Sequence, residues 1–163
     1  PFTRELWGRV ICFAHNGKLR GIKSKKLDTF RPVGTTDSEY AFCWLMSQAQ
    51  TRWPKRSPQV ATFANQLELW LNTLADHGTC NVLMSDSRAL YAFCTTKLSM
   101  LTRRAPFKEA TLIDTDMTIN FKEETTPSDV VTVLATQPLT AEEPWVQLAP
   151  RRLHVFERGE QVR

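Results

Sequence analysis

Val10 to Ala14 is a short apolar run rich in strand formers, and it stops at His15-Asn16-Gly17, where Asn-Gly supplies turn chemistry. The pattern predicts a strand closed by a tight turn. From Lys18 to Gly34 no period holds: the segment is basic and polar, broken by Gly21, Pro32 and Gly34, and reads as a long surface loop. The period then becomes helical. Thr36 or Asp37 can cap a helix that begins near Ser38, with Glu39 in its first turn suiting the positive end of the helix dipole. Phe42, Leu45, Met46 and Ala49 recur on one face of that helix, and Pro54 ends it. Ser57-Pro58 opens a second helix with an apolar stripe of Val60, Phe63, Leu67, Trp70, Leu71 and Leu74, stopped near Gly78. The short Pro-containing link between the two predicts an antiparallel helical layer.

After Gly78 the runs shorten. Cys80 to Met84 and Leu90 to Cys94, separated by Ser85-Asp86-Ser87-Arg88, predict a β-hairpin. Met100 to Arg103, Leu112 to Ile113, Val130 to Ala135, Trp145 to Leu148 and Leu153 to Phe156 are further strands, punctuated by Pro127, Pro138, Pro144 and Pro150. No internal repeat, heptad or low-complexity segment interrupts this order. It predicts an α+β fold, with helices on one side of an antiparallel sheet.

Composition adds limits. A chain of 163 residues with 42% hydrophobic side chains can bury one substantial core, and a second complete domain is not expected. The net charge of +4 is the sole argument for nucleic acid, and it is a weak one because acidic residues are interleaved with the basic ones. The densest basic cluster, Lys18, Arg20, Lys23, Lys25 and Lys26, reads either as a solvated loop or as a site for an anionic ligand. Cys12, Cys43, Cys80 and Cys94 form no C-x-x-C pair, and no His stands at metal-ligand spacing from another, which argues against a zinc site. All four lie in apolar runs, so buried, reduced thiols are expected, and with them a reducing compartment such as the cytoplasm. No apolar run approaches the roughly 20 residues that span a bilayer. The chain opens on Pro1 rather than Met, which raises the expectation of residues upstream.

No G-x-S-x-G elbow, phosphate-binding glycine loop, H-E-x-x-H helix or dinucleotide fingerprint occurs. Two short polar clusters remain, Ala14-His15-Asn16-Gly17 and Gly34-Thr35-Thr36-Asp37-Ser38-Glu39, each at the junction of a loop and a regular element. Together with Pro1-Phe2-Thr3-Arg4-Glu5-Leu6, Arg31-Pro32-Val33-Gly34, Tyr40-Ala41-Phe42-Cys43, Thr102-Arg103-Arg104-Ala105-Pro106-Phe107 and Thr125-Thr126-Pro127-Ser128-Asp129-Val130-Val131-Thr132-Val133, they carry a resemblance. The sequence resembles the class II glutamine amidotransferases of the N-terminal-nucleophile hydrolase superfamily, in particular their stand-alone bacterial group, over nearly its whole length.

That resemblance implies an αββα four-layer sandwich, incomplete at its N-terminus, with residues 1–163 forming the C-terminal part of a single amidotransferase domain. It implies a glutaminase in which a terminal cysteine, with its own α-amine as base, attacks the glutamine amide, releases ammonia and leaves a thioester for water to hydrolyse. No metal or organic cofactor is implied. Asn16 by its side-chain amide and Gly17 by its backbone N–H match the family's oxyanion donors. Read without the resemblance, the same pair is an ordinary turn. Asp37 matches the carboxylate that receives the substrate's α-ammonium group, and helix capping is its alternative role; both can coexist. His15 reads as a packed or hydrogen-bonded histidine rather than a proton carrier. The nucleophile, the arginine for the substrate carboxylate and a Thr-His pair would lie upstream of Pro1, either on a separate chain or lost. The partners expected are therefore glutamine, that upstream segment and, as an option left open, a second copy of the chain, with neither nucleic acid nor membrane. A non-catalytic glutamine-binding or regulatory protein of the same fold is the rival reading.

Overall fold

The computed structural model describes residues 1–107, 126 and 128–163 in full and the backbone of 109–111 and 118–120. The chain opens with β1 (Phe2–Leu6) and β2 (Arg9–Leu19), makes a single 3-10 turn at Ile22–Ser24, and runs irregularly to Thr36. Two helices follow, α1 (Asp37–Arg52) and α2 (Val60–Ala75). The remainder is β3 (Gly78–Ser85), β4 (Leu90–Phe93), β5 (Ser99–Arg104), β6 (Glu109–Thr111), β7 (Thr118–Asn120), β8 (Val130–Ala135), β9 (Val146–Gln147), β10 (Leu153–Glu157) and β11 (Glu160–Gln161). The strand expected at Leu112 and Ile113 lies outside the described residues, as do Thr125 and Pro127.

A six-stranded sheet in the order β1-β2-β3-β4-β10-β11 carries the fold, beside a three-stranded sheet β8-β5-β9 and the pair β6-β7. Every pairing is antiparallel. Because strand side chains alternate between faces, the large sheet has two apolar sides. Ile11, Phe13, Val82, Met84, Tyr91, Phe93 and Val155 meet α1 and α2 in the main core. Ala92, Cys94 and Phe156 face the other way, toward Leu98, Met100, Leu134 and Leu148 of the small sheet and its approaches. The result is three layers: helices, large sheet, small sheet. Among the described residues no second helical layer covers the small sheet.

Both helices bury the predicted stripes, Phe42, Leu45, Met46 and Ala49 on α1 and Phe63, Leu67, Trp70, Leu71 and Leu74 on α2, except that Val60, at the start of the α2 stripe, is only half-buried. Thr36 is the N-cap of α1, its hydroxyl accepting from Glu39 N at 3.2 Å. The Phe13 and Phe42 rings stack at 5.0 Å, a pairing that adds about 0.5–1.5 kcal/mol to the burial of the two rings and fixes β2 beneath α1. Trp53, between the helices, meets Trp7, Phe63 and Trp70.

Three expectations change. β2 does not stop at His15 but runs through Asn16 and Gly17 to Leu19, paired with β3 throughout. The basic segment is only in part a loop: Lys18 lies on β2, Ile22 is buried, and the Tyr40 hydroxyl donates to the carbonyls of Lys23 (3.1 Å) and Lys25 (2.8 Å). Cys43, Cys80 and Cys94 are buried free thiols, but Cys12 is only half-buried.

Candidate active site

The site is built on the half of β2 that β1 does not cover. β1 pairs with residues 9–13 of β2, whereas β3 pairs with residues 12–19. In an antiparallel strand the N–H groups of successive residues point to opposite edges. Arg20 N donates to His77 O, on the β3 side, at 2.8 Å. The N–H groups of His15, Gly17 and Leu19 therefore point to the opposite edge, past the end of β1. Leu19 N is taken there by the Asp37 carboxylate at 2.7 Å. By the same alternation Gly17 N–H faces outward from that edge, two residues, or roughly 7 Å, away along the strand and beyond the last β1 pairing.

Glycine is required at that position. A Cβ on residue 17, whose φ is +156°, would stand 2.0 Å from the Thr79 carbonyl oxygen and 2.9 Å from His15 Nε2. The opposite face of the strand belongs to Asn16, which is exposed. It lines a cleft of about 240 Å³ with Ala14, Asn81, Val82, Leu98 and Leu134. Asn81, its partner on β3, is already committed: its side chain receives Thr95 N and Thr96 N at 3.1 and 3.3 Å and donates to Thr96 Oγ1.

Asp37 is the first residue of α1 rather than its cap. Oδ2 accepts from Leu19 N and Oδ1 from Ser38 N at 2.9 Å. Burial pushes its carboxyl upward, but those backbone N–H groups and nearby His15 outweigh it and hold the group below its ordinary value. Asp37 is thus ionised and half-buried, with lone pairs left for a cation. The capping alternative for Asp37 is corrected: Thr36 caps the helix, and the two Asp37 oxygens receive the N–H groups of Leu19 and Ser38 instead.

His15 occupies the helix-facing side of β2, stacked on Phe13 with ring centres 6.5 Å apart. Its Nδ1 is 2.8 Å from Ser38 Oγ and its Nε2 3.2 Å from Thr79 O. A carbonyl only accepts, so the bonding pattern assigns the proton to Nε2 and makes Nδ1 the acceptor of the Ser38 hydroxyl. Burial lowers the imidazole pKa, opposed by the Thr79 carbonyl and the Asp37 charge. Ser38 lies in the polar cluster before α1 but was given no role from the sequence, and Thr79 does not stand out there.

Glu39, also unremarked beyond its helix-dipole position, is buried and receives Val33 N (3.0 Å), Gly34 N (2.7 Å) and Arg4 Nη2 (2.7 Å). It ties the segment before α1 to β1. Among the described residues no group of three or more metal-ligating side chains gathers, and no helix is long and apolar enough to cross a membrane.

Two ionic and polar anchors placed on one strand edge, within a helix-over-sheet frame, accompany a family match along the whole chain. The family model for class II glutamine amidotransferases matches residues 1–163, and the chain belongs to that family. It is 49% identical over 162 residues to the Escherichia coli K12 protein named "Putative glutamine amidotransferase YafJ", covering 99% of this chain and 64% of that one. A Haemophilus influenzae protein named "Putative glutamine amidotransferase" is 34% identical over 162 residues, covering 99% and 55%. The crystal structure of a predicted glutamine amidotransferase from Pseudomonas aeruginosa superposes with a TM-score of 0.89 at 41% identity, covering all of this chain and 64% of the other. The chain thus spans less than two-thirds of the length of these relatives.

Proposed function

We propose that the complete protein releases ammonia from glutamine through a cysteinyl thioester, with Asn16 and Gly17 stabilising the oxyanion and Asp37 holding the α-ammonium group. One observation carries this reading: an outward-facing Gly17 N–H, beyond the reach of β1, and an Asp37 carboxylate anchored on Leu19 N stand on the same open strand edge. A donor for a developing negative charge and an acceptor for a fixed positive one are thereby separated by a distance suited to the two ends of one amino acid. Attack of a thiolate on the side-chain amide carbon places charge on its oxygen, where preorganised donors act most strongly. The C–N bond then breaks, ammonia leaves, and water cleaves the thioester to glutamate and free thiol.

None of the four thiols described here fits the nucleophile. Cys80 is the Cα partner of Gly17 but is fully buried on the helix side, and burial pushes its pKa up to about 12. Burial likewise raises Cys43 and Cys94. Cys12 is five residues from Gly17 along an extended strand, roughly 17 Å. The attacking cysteine is accordingly assigned to the part of the protein outside these residues, which would also complete the αββα sandwich around the small sheet.

The test is ammonia release from glutamine by the full-length protein and by its Asn16→Ala variant. Loss of one oxyanion donor should lower kcat by roughly 100- to 1,000-fold with little change in folding. Wild-type turnover in the variant removes Asn16 from the oxyanion hole. Glutamine binding without any ammonia release by the wild type favours a binding protein of the same fold.

A further inference from the structure

We propose that His15, braced by Ser38, is a positioning residue that holds the oxyanion strand and the Asp37 carboxylate in register as one receptor; this rests on the glutaminase reading above. Three links join β2 to α1 in antiparallel order. Phe13 stacks on Phe42, His15 Nδ1 receives the Ser38 hydroxyl, and Leu19 N donates to Asp37. Phe42 and Ser38 are one helical turn apart on α1, and Ser38 adjoins Asp37. The middle link stands beside both functional groups: His15 precedes Asn16-Gly17 on one side, and Ser38 follows Asp37 on the other.

The His15 ring also has a third attachment, Nε2 to the Thr79 carbonyl on β3. That contact lies where a side chain on residue 17 would collide, with Thr79 O and His15 Nε2 among its nearest atoms. The absence of a side chain at Gly17 therefore serves two purposes, opening the strand edge and making room for the His15 brace. The ring fixes the strand between α1 and β3, while its neighbour Gly17 presents N–H to the open edge. Without the brace, the short exposed stretch 16–18 is held on one edge only, by β3. Displacements of about 1 Å at such a site cost up to about 100-fold in rate.

In the mechanism His15 moves no proton. Its neutral, Nε2-protonated form satisfies both partners, and a positioning role predicts a kinetic signature that separates it from the groups it supports. Asn16 acts on the charge that develops during attack, and Asp37 on a charge present throughout. Loss of the brace disturbs both, so His15→Ala and Ser38→Ala should each lower kcat and raise KM together.

The experiment is a double-mutant cycle in the full-length protein, with kcat and KM for glutamine and a thermal midpoint measured for wild type, His15→Ala, Ser38→Ala and the double variant. Each single variant is expected to lose about 10- to 100-fold in kcat/KM. The double should lose no more than the worse single, because the two residues share one bond. His15→Gln, which keeps a donor for Thr79 O, should recover part of the loss, and Ser38→Thr, which keeps the hydroxyl, most of it. Multiplicative losses, no rescue, or wild-type constants in folded His15→Ala overturn the brace while leaving the glutaminase reading intact. A wild-type protein that releases no ammonia from glutamine overturns the glutaminase reading itself, and the proposal with it.

Discussion

Asp37 shows how much a single carboxylate can be asked to do. It is ionised because backbone N–H groups from Leu19 and Ser38 stabilise its charge more than burial opposes it, so it is a preorganised acceptor for a cation. In the glutaminase reading the α-ammonium group carries the same charge before and during attack, so Asp37 contributes uniform binding rather than rate. Asp37→Asn should raise KM roughly 10- to 150-fold, the equivalent of about 1.5–3 kcal/mol, with kcat changed far less. Steady-state kinetics with free glutamine checks this, and an unchanged KM would leave only its tie to Leu19. Asn16, Gly17 and Asp37 were singled out in the sequence as candidates through the resemblance, but their backbone setting was not legible there. Asn-Gly is turn chemistry, and only pairing with β3 as far as Gly78 overrides it. The period-two sequence Ile11, Phe13, His15 and Leu19 was the available signal, since the buried residues among them alternate straight through the supposed turn.

Elements join at Glu39, where one buried carboxylate gathers β1, the segment before α1, and α1 itself. Its pKa lies below the ordinary 4.5 because the Val33 and Gly34 N–H groups, with Arg4, outweigh desolvation. The sign of the linkage follows. A depressed folded pKa means that the unfolded chain takes up the proton first, so the contribution of Glu39 is fully present above pH 4.5 and is lost as pH falls through the folded value. Thermal midpoints of the wild type should therefore drop more steeply below pH 4.5 than those of Glu39→Gln, which starts lower but has no proton to bind there. Parallel slopes would show that the carboxylate charge contributes nothing to this junction. Helix spans and the β3-β4 hairpin were legible from periodicity, because burial of one face imposes it. The link through Glu39 was not, since its partners are backbone N–H groups and an arginine 35 positions away, which no local pattern reveals.

At the scale of the molecule, the described chain brings Gly17 and Asp37 to one strand edge without a thiol beside them. Cys80 is closest in register to Gly17 but is buried on the wrong face, Cys43 and Cys94 are buried, and Cys12 is far along the strand. Residues 1–163 also leave β1 as a sheet edge and residues 15, 17 and 19 of β2 with N–H groups directed past it, of which Asp37 occupies one. Unpaired strand edges invite pairing with another chain. Two consequences follow if a segment outside residues 1–163 supplies both the nucleophile and the partner for that edge. The polypeptide 1–163, purified alone, should release no ammonia from glutamine and should self-associate. Supplying the upstream segment in trans should reduce the association and restore ammonia release, because one addition repairs both deficits. Light scattering follows the first and an ammonia assay the second, on the same samples. An active monomer of residues 1–163 would show that a thiol within this chain performs the attack, and Cys12→Ser, as the only variant of a thiol that is not buried, would then be the first to make.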